Sequence, residues 1–292
     1  MKSIRYRTRG QRADIGHLRI YRLLSNPQSR AIGPFVFLDH IAPNDRPAAM
    51  RNGTGAHPHR GIATLTYILE GEGEHFDSAG HHARVHSGGV QWMKAGNGVV
   101  HDETLNADSR SGSERTHAFQ FWINLPARHK AEPPEYLSVQ SEEVPVVDLH
   151  DAAGRLRVIV GGYGEKHSRI PDYSPQFLYH LELVPGRRAS IELQEGLEVA
   201  AFVPEGEVSI NKEVIEAGTF VAFDTEAGTV ECQNEMETSV NMLLFGGEPY
   251  REPFVAEGPF VMNSVAELAT AYRDYQAGKY GTVNYTPRSA RP

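Results

Sequence analysis

The strongest constraint on this chain is that its apolar runs are short, rich in β-branched and aromatic residues, and cut by glycine or proline turns. Residues 64–69 (TLTYIL) end at Glu70-Gly71-Glu72-Gly73, and residues 74–76 run into Asp77-Ser78-Ala79-Gly80 as a hairpin turn. Residues 82–86 end at Ser87-Gly88-Gly89, residues 90–93 end at Ala95-Gly96-Asn97-Gly98, and residues 99–103 form the next strand. An earlier segment, 34–39 (PFVFLD), has the same character. Strands this short and this closely spaced predict an all-β sandwich or small barrel, whose closed sheet leaves no long exposed edge. The 28 glycines and 18 prolines favour that reading over one built on long helices.

Residues 127–147 contain Ala-Arg-His-Lys, Glu-Pro-Pro-Glu and the acidic pair Glu142-Glu143, and read as a linker. Beyond it the strand pattern resumes at 157–160, 177–184, 189–193, 199–203, 219–223 and 240–245. A length of 292 residues, at about 150 per domain, fits two domains, drawn here as 1–132 and 133–292. One short helix is expected near the end. Ser264 and Glu267 have capping-box spacing, Val265, Leu268, Ala269, Tyr272 and Tyr275 share one face, and Gly278 stops the helix. The last dozen residues are polar and read as a tail that is loose or docks elsewhere.

Net charge is −8, with 29 Lys plus Arg against 37 Asp plus Glu, which argues against direct nucleic-acid binding. No apolar run approaches the roughly 18–20 residues needed to span a bilayer. The single cysteine, Cys232, forms no internal disulfide and reads as a small buried residue. With no signal-peptide pattern after the basic first ten residues, the expected compartment is the cytoplasm.

Seven of the fourteen histidines (57, 59, 75, 81, 82, 86 and 101) fall within 45 residues. In an extended segment, side chains two apart share a face, so His57-Pro58-His59 offers two imidazoles to one side. Pro58 favours the extended form. Forty-two residues after His59, His101-Asp102-Glu103 offers an imidazole and a carboxylate in the same way. Two such pairs converging inside a small barrel present three neutral nitrogens and one anionic oxygen. That set suits iron, manganese, nickel, copper or zinc better than calcium or magnesium. His75, His81, His82 and His86 straddle the expected turn at 77–80 and read as solvent-facing. Arg60 reads as an ion-pair residue, and Trp92 and Met93 as core.

The runs HPHRGIATLTYILEGEGEHFDSAG (57–80) and GGVQWMKAGNGVVHDE (88–103) resemble the pirin signature of the cupin superfamily. The resemblance continues through FQFWINLP (119–126), GGEPYREPFVAEGPFVMN (246–263) and YQAGKYG (275–281), and so covers nearly the whole chain. It implies two tandem cupin (jelly-roll) barrels, with a metal in the first and none in the second. The pirin metal set of three His and one Glu maps onto His57, His59, His101 and Glu103, and the family's usual metal is iron. This chain departs at Ala63, where pirins commonly carry Glu, and at Ile62, where they carry an aromatic. A carboxylate lost near the metal would remove a partner or base from the site.

The resemblance also implies quercetin 2,3-dioxygenase-type opening of a flavonol or similar planar enol by dioxygen. A divalent ion with one carboxylate ligand keeps a positive charge that favours an anionic enolate, and Glu103 is the expected proton acceptor for the substrate hydroxyl. The alternative is a redox-sensitive iron protein that regulates transcription or metabolism through a protein partner. A bicupin isomerase acting on sugar phosphates is the third reading that the fold permits.

Overall fold

The computed structural model describes residues 1–25, 30–47, 49–50 and 53–286. Among the described residues the chain is all-β except for a few short 3-10 turns and one C-terminal helix. It forms two compact units, each discontinuous in sequence. One comprises Met1–Ala13, Tyr21–His40 and Val144–Tyr250, and the other Asp14–Ile20, Ile41–Glu143 and Arg251–Pro292. The single cut expected at 132/133 therefore does not follow the compact units. Ile4–Arg9 pairs with Thr219–Phe223, and the C-terminal helix belongs with the histidine-rich strands. Backbone pairing across two hundred residues leaves no local signal in the sequence.

The histidine-bearing unit contains β1 (His57–His59), β2 (Ile62–Glu70), β3 (Glu72–Asp77), β4 (His82–His86), β5 (Val90–Lys94), β6 (Val99–Asn106), β7 (Thr116–Asn124) and β8 (Glu135–Val139). It continues with β9 (Val255–Glu257), β10 (Phe260–Met262) and helix α1 (Val265–Gln276). A small antiparallel sheet has the order β1-β6-β3-β4, and β8-β5-β2-β7 run side by side in a larger one. The expected linker thus carries a strand, β8, which pairs with β5 through Leu137 opposite Trp92. Thr66 of β2 and Gln120 of β7 bond to Glu103 of β6, so the two sheets face each other across the barrel interior.

Strand alternation then assigns every side chain. Thr64 and Thr66 of β2 face the interior, while Ala63, Leu65 and Tyr67 occupy the other face and are fully buried. Burial on both faces is why TLTYIL reads as a continuous run rather than an alternating one. Trp92, paired with Leu65, shares that outer, covered face, and Met93, paired with Thr64, points inward. Both are 1% exposed, the burial expected of core residues.

Ser264 caps α1 by accepting from the Glu267 backbone N–H at 3.2 Å. Only Leu268 and Ala271 are buried on the helix, with Tyr272 packed beside them against Phe260, Met262 and Tyr280. The expected apolar face was too broad, because Val265 is 70% exposed. β10 runs beside the metal-candidate strand so closely that a Cβ at Gly61 (φ +80°) would lie 2.0 Å from the Val261 carbonyl oxygen. Tyr285, in the expected tail, is docked through its hydroxyl onto Asp102, and residues 287–292 lie outside the described residues.

The other unit repeats the two-sheet plan. Its seven-stranded sheet runs from Ile4–Arg9 to Val146–Asp148, and its four-stranded sheet contains Arg188–Leu193, Gly228–Gln233, Glu207–Ile210 and Glu213–Glu216. Leu156, Val158, Leu181, Ile191, Val199, Met242 and Leu244 pack its interior. Cys232 sits in that core, and burial pushes its thiol up to about 12.

Candidate metal centre

The ladder between β1 and β6 sets His101 opposite His57 and Val99 opposite His59. The three rings converge, with centroids 4.4 Å apart for His57 and His101, 4.9 Å for His59 and His101, and 5.0 Å for His57 and His59. Their ligand nitrogens all lie within 4.8 Å of one another. His59 and His101 are 2% and 0% exposed, while His57 is half-buried at the mouth.

Each ring of the HPH pair is oriented by a backbone carbonyl. His57 Nδ1–H donates to the Gly55 carbonyl at 2.8 Å, and His59 Nδ1–H donates to the Pro259 carbonyl at 3.1 Å. A carbonyl only accepts, so both Nδ1 atoms carry the proton and both Nε2 atoms present lone pairs. His57 Nε2 and His101 Nε2 face each other at 3.0 Å, and His101 Nδ1 is buried without a hydrogen-bond partner. The Nε2 lone pairs of His57 and His59, directed into a cluster that His101 completes, fit a cation held there, and neutral imidazoles of this tautomer are the donors that a transition ion takes.

Burial, then the neighbouring histidines, pull these groups toward the neutral form. His59 is lowered to about 3, mainly by burial and then by His57, and His101 falls well below its ordinary value for the same kinds of reason. Glu103 moves the other way. Burial disfavours its charge, yet His75, His57 and His59 together outweigh it and hold the carboxyl below the usual range. It accepts from Gln120 Nε2 at 2.7 Å and from Thr66 Oγ1 at 3.3 Å.

Glu103 does not join the three-histidine cluster within the same 4.8 Å. It groups instead with His75 and His101, so His101 is common to two overlapping trios. His75 was expected at the surface, but it is 1% exposed, because β3 pairs with β6 through His75 opposite Glu103 and faces it inward. Its Nε2 lies 3.1 Å from Asp77 Oδ2 and its Nδ1 4.0 Å from Glu103 Oε1, and its ring stacks on Tyr136 at 4.2 Å. Burial lowers its pKa, but Asp77 and Glu103 more than reverse that and raise it. A residue-parity count from Glu103 across the β3–β6 ladder would have found His75; hairpin position alone concealed it.

The other three histidines lie nearer the surface, each hydrogen-bonded to a carboxylate: His81 to Asp77, His82 to Glu74, and His86 to Asp108. The Glu72–His86–Asp108 cluster is saturated by Ser87, Ser109, Arg84 and backbone N–H groups, and is structural. Arg60 is an ion-pair residue as expected, donating to Asp274 at 2.8 Å and to the Tyr280 hydroxyl at 3.2 Å. Trp122 meets the His59 ring edge-on at 4.9 Å. The concern at Ala63 is corrected by strand parity: Thr66 touches Glu103, so Ala63 lies on the opposite face of β2, and a Glu there would not border the cluster.

Residues 17–123 match the family model Pirin, and residues 178–281 match that of the pirin C-terminal cupin domain. A pirin-like protein of Caulobacter vibrioides is 32% identical over 272 residues, covering 92% of this chain and 95% of that protein. A Pseudomonas aeruginosa protein provisionally named as a quercetin 2,3-dioxygenase is 36% identical over 256 residues, covering 87% and 89%. A crystal structure of quercetin 2,3-dioxygenase from Acinetobacter baumannii superposes with a TM-score of 0.87 at 31% identity, covering 97% of this chain and 99% of that one. A bacterial pirin from Escherichia coli, solved with nickel(II), shares the fold at a TM-score of 0.65 and 23% identity, covering 84% and 99%. Fold and sequence together define a two-domain cupin with a histidine-lined barrel. Within that class, the chain belongs to the pirin family.

Proposed function

We propose that His57, His59, His101 and Glu103 hold a divalent transition ion, iron first among the candidates, and that the protein oxidatively opens a flavonol or similar planar enol. The observation that carries this reading is the convergence of three imidazoles within 4.8 Å, of which His57 and His59 turn Nδ1–H to backbone carbonyls, with His57 Nε2 and His101 Nε2 3.0 Å apart. When bound, such an ion supplies redox chemistry toward dioxygen and a positive charge that favours an anionic substrate oxygen. Likeness to the Acinetobacter baumannii quercetin 2,3-dioxygenase supports the reaction class.

The chain's own residues supply the rest. Glu103, ionised and steadied by Gln120 and Thr66, accepts the enol proton of a substrate that comes within hydrogen-bond reach. Trp122 and Tyr136 present aromatic surface on opposite sides of the histidine cluster, against His59 and His75, and such surface orients a flat ring. Burial of His59, His101 and Glu103 keeps bulk water from the reacting atoms. Among the described residues no helix is long and apolar enough to cross a membrane, and a cytoplasmic setting suits the unpaired, buried Cys232.

The test is metal analysis of untagged protein purified without added metal, followed by oxygen uptake with quercetin on the same sample. Near one iron per chain, with uptake abolished in both His57→Ala and Glu103→Ala, supports the proposal. Bound iron without uptake refutes the enzyme reading and favours a redox-responsive binding protein that acts through a protein partner.

A further inference from the structure

The strand that carries His101 and Glu103 turns its alternate residues, Asp102 and Thr104, to the outer face of the small sheet, opposite Phe76 and Glu74 of β3. With Met50, Gly53 and Tyr285 they line a cavity of about 480 Å³. This cavity lies on the other side of the sheet from the histidine cluster and is independent of the function proposed above.

Its central feature is a buried acidic side chain. Asp102 is 4% exposed. Its Oδ1 accepts from the Gly55 backbone N–H at 3.0 Å, and its Oδ2 accepts from the Tyr285 hydroxyl at 2.8 Å. Both donors are neutral, and among the described residues no Lys, Arg or His side chain pairs with Asp102. Glu74, two strand positions away, is neutralised by His82 at 2.8 Å and Arg84 at 3.0 Å. Each Asp102 oxygen, with one neutral donor, keeps a lone pair for another donor.

The walls fit the same kind of guest. Phe76 is stacked on His82 at 4.1 Å and supports the Tyr285 ring at 5.4 Å, and Tyr285, 52% exposed, offers the aromatic face that attracts a cation. Met50 adds a polarisable apolar wall. Thr104, on the same face as Asp102, completes the floor of the cavity. Gly53, at φ +63°, passes so close that a Cβ there would lie 2.2 Å from Asp102 Oδ1. One carboxylate is too few for a bare divalent metal, which takes six or more oxygen ligands. The volume falls within the range of small-molecule sites, about 300–1,000 Å³.

From these observations we infer that the outer cavity binds an organic ammonium ion bearing an apolar, ring-sized group. The ammonium sits on Asp102 and its apolar group lies against Met50 and the Tyr285 ring.

Phenethylammonium is the probe, 2-phenylethanol its neutral counterpart of the same shape, and isothermal titration of the full chain the measurement. The ammonium is expected to bind about tenfold or more tightly than the alcohol. Asp102→Asn should remove that preference. Tyr285→Ala, at a position 52% exposed and so tolerant of truncation, should weaken the ammonium by about fivefold or more. Loading the histidine cluster with zinc should leave binding unchanged. Equal affinity for the two probes, no binding at about 10 mM, undiminished binding in both variants, or displacement by zinc would each overturn the inference.

Discussion

Metal affinity in this protein should depend on pH far less than three histidine ligands ordinarily require. The perturbation is a shift from pH 7 to pH 5, read on the wild-type chain by competition between cobalt(II) and a chelator of known pH dependence. An imidazole with the ordinary value of 6.5 loses about 25-fold in its neutral fraction over that interval, so two such ligands cost about 600-fold in affinity. His59 is lowered to about 3 and His101 well below its ordinary value, so both are already deprotonated throughout the interval. Glu103, held below the usual carboxylate range, stays ionised at the acid end. His75, raised by Asp77 and Glu103, is protonated over the lower half of the interval and adds no slope there. One further imidazole can contribute at most one proton, about 100-fold over two pH units. The expected fall is therefore about 100-fold or less. A fall of several hundredfold would show that His59 and His101 titrate freely, and would refute the claim that burial and mutual repulsion hold them neutral.

The same shifts bear on the stability of metal-free protein. His59, His101 and His180 have folded values below the unfolded one, so the unfolded state takes up protons first. Stability is then fully present above pH 6.5 and falls on acidification by about 1.4 kcal/mol per pH unit for each group, down to about 4 for His180 and about 3 for His59. Thermal melts between pH 7 and 5 should show it, and a flat profile would contradict it. Gln120→Leu removes the 2.7 Å donor to Glu103 and should weaken metal binding by about 10–100-fold in the same competition assay, with the fold retained by circular dichroism. Ala63→Glu places a carboxylate on the fully buried outer face of β2, away from Glu103, and should lower the melting temperature while the protein that remains folded keeps its metal content; loss of metal from folded protein would show that the parity assignment is wrong.

Much of the site was readable from short-range pattern. Residues two apart in an extended segment share a face, so HPH and HDE each announce a paired presentation, and turn glycines between them announce a meander. The same rule misjudged His75, because whether a strand residue faces in or out depends on which partner lies across the ladder. The pairing of His75 with Glu103 settles that for β3. The proposed helix face failed for a similar reason. Val265 has the right period but meets no neighbour, whereas Leu268 and Ala271 meet Phe260 and Tyr280.

By itself, the sequence determined the all-β class, the presence of two repeats, the capped C-terminal helix and the pairing of His57 with His59 and of His101 with Glu103 on shared strand faces. These follow from periodicity, turn chemistry and donor type, which act within a few residues. Only the tertiary structure decided that Ile4–Arg9 completes the sheet containing Val240–Gly247 and that the Pro259 carbonyl sets the tautomer of His59. It alone shows that Thr66 and Gln120 hold Glu103, and that Asp102 lies buried on the outer face with only neutral donors. Each is a contact between residues distant in the chain, set by strand register and loop closure, and local pattern carries no information about either.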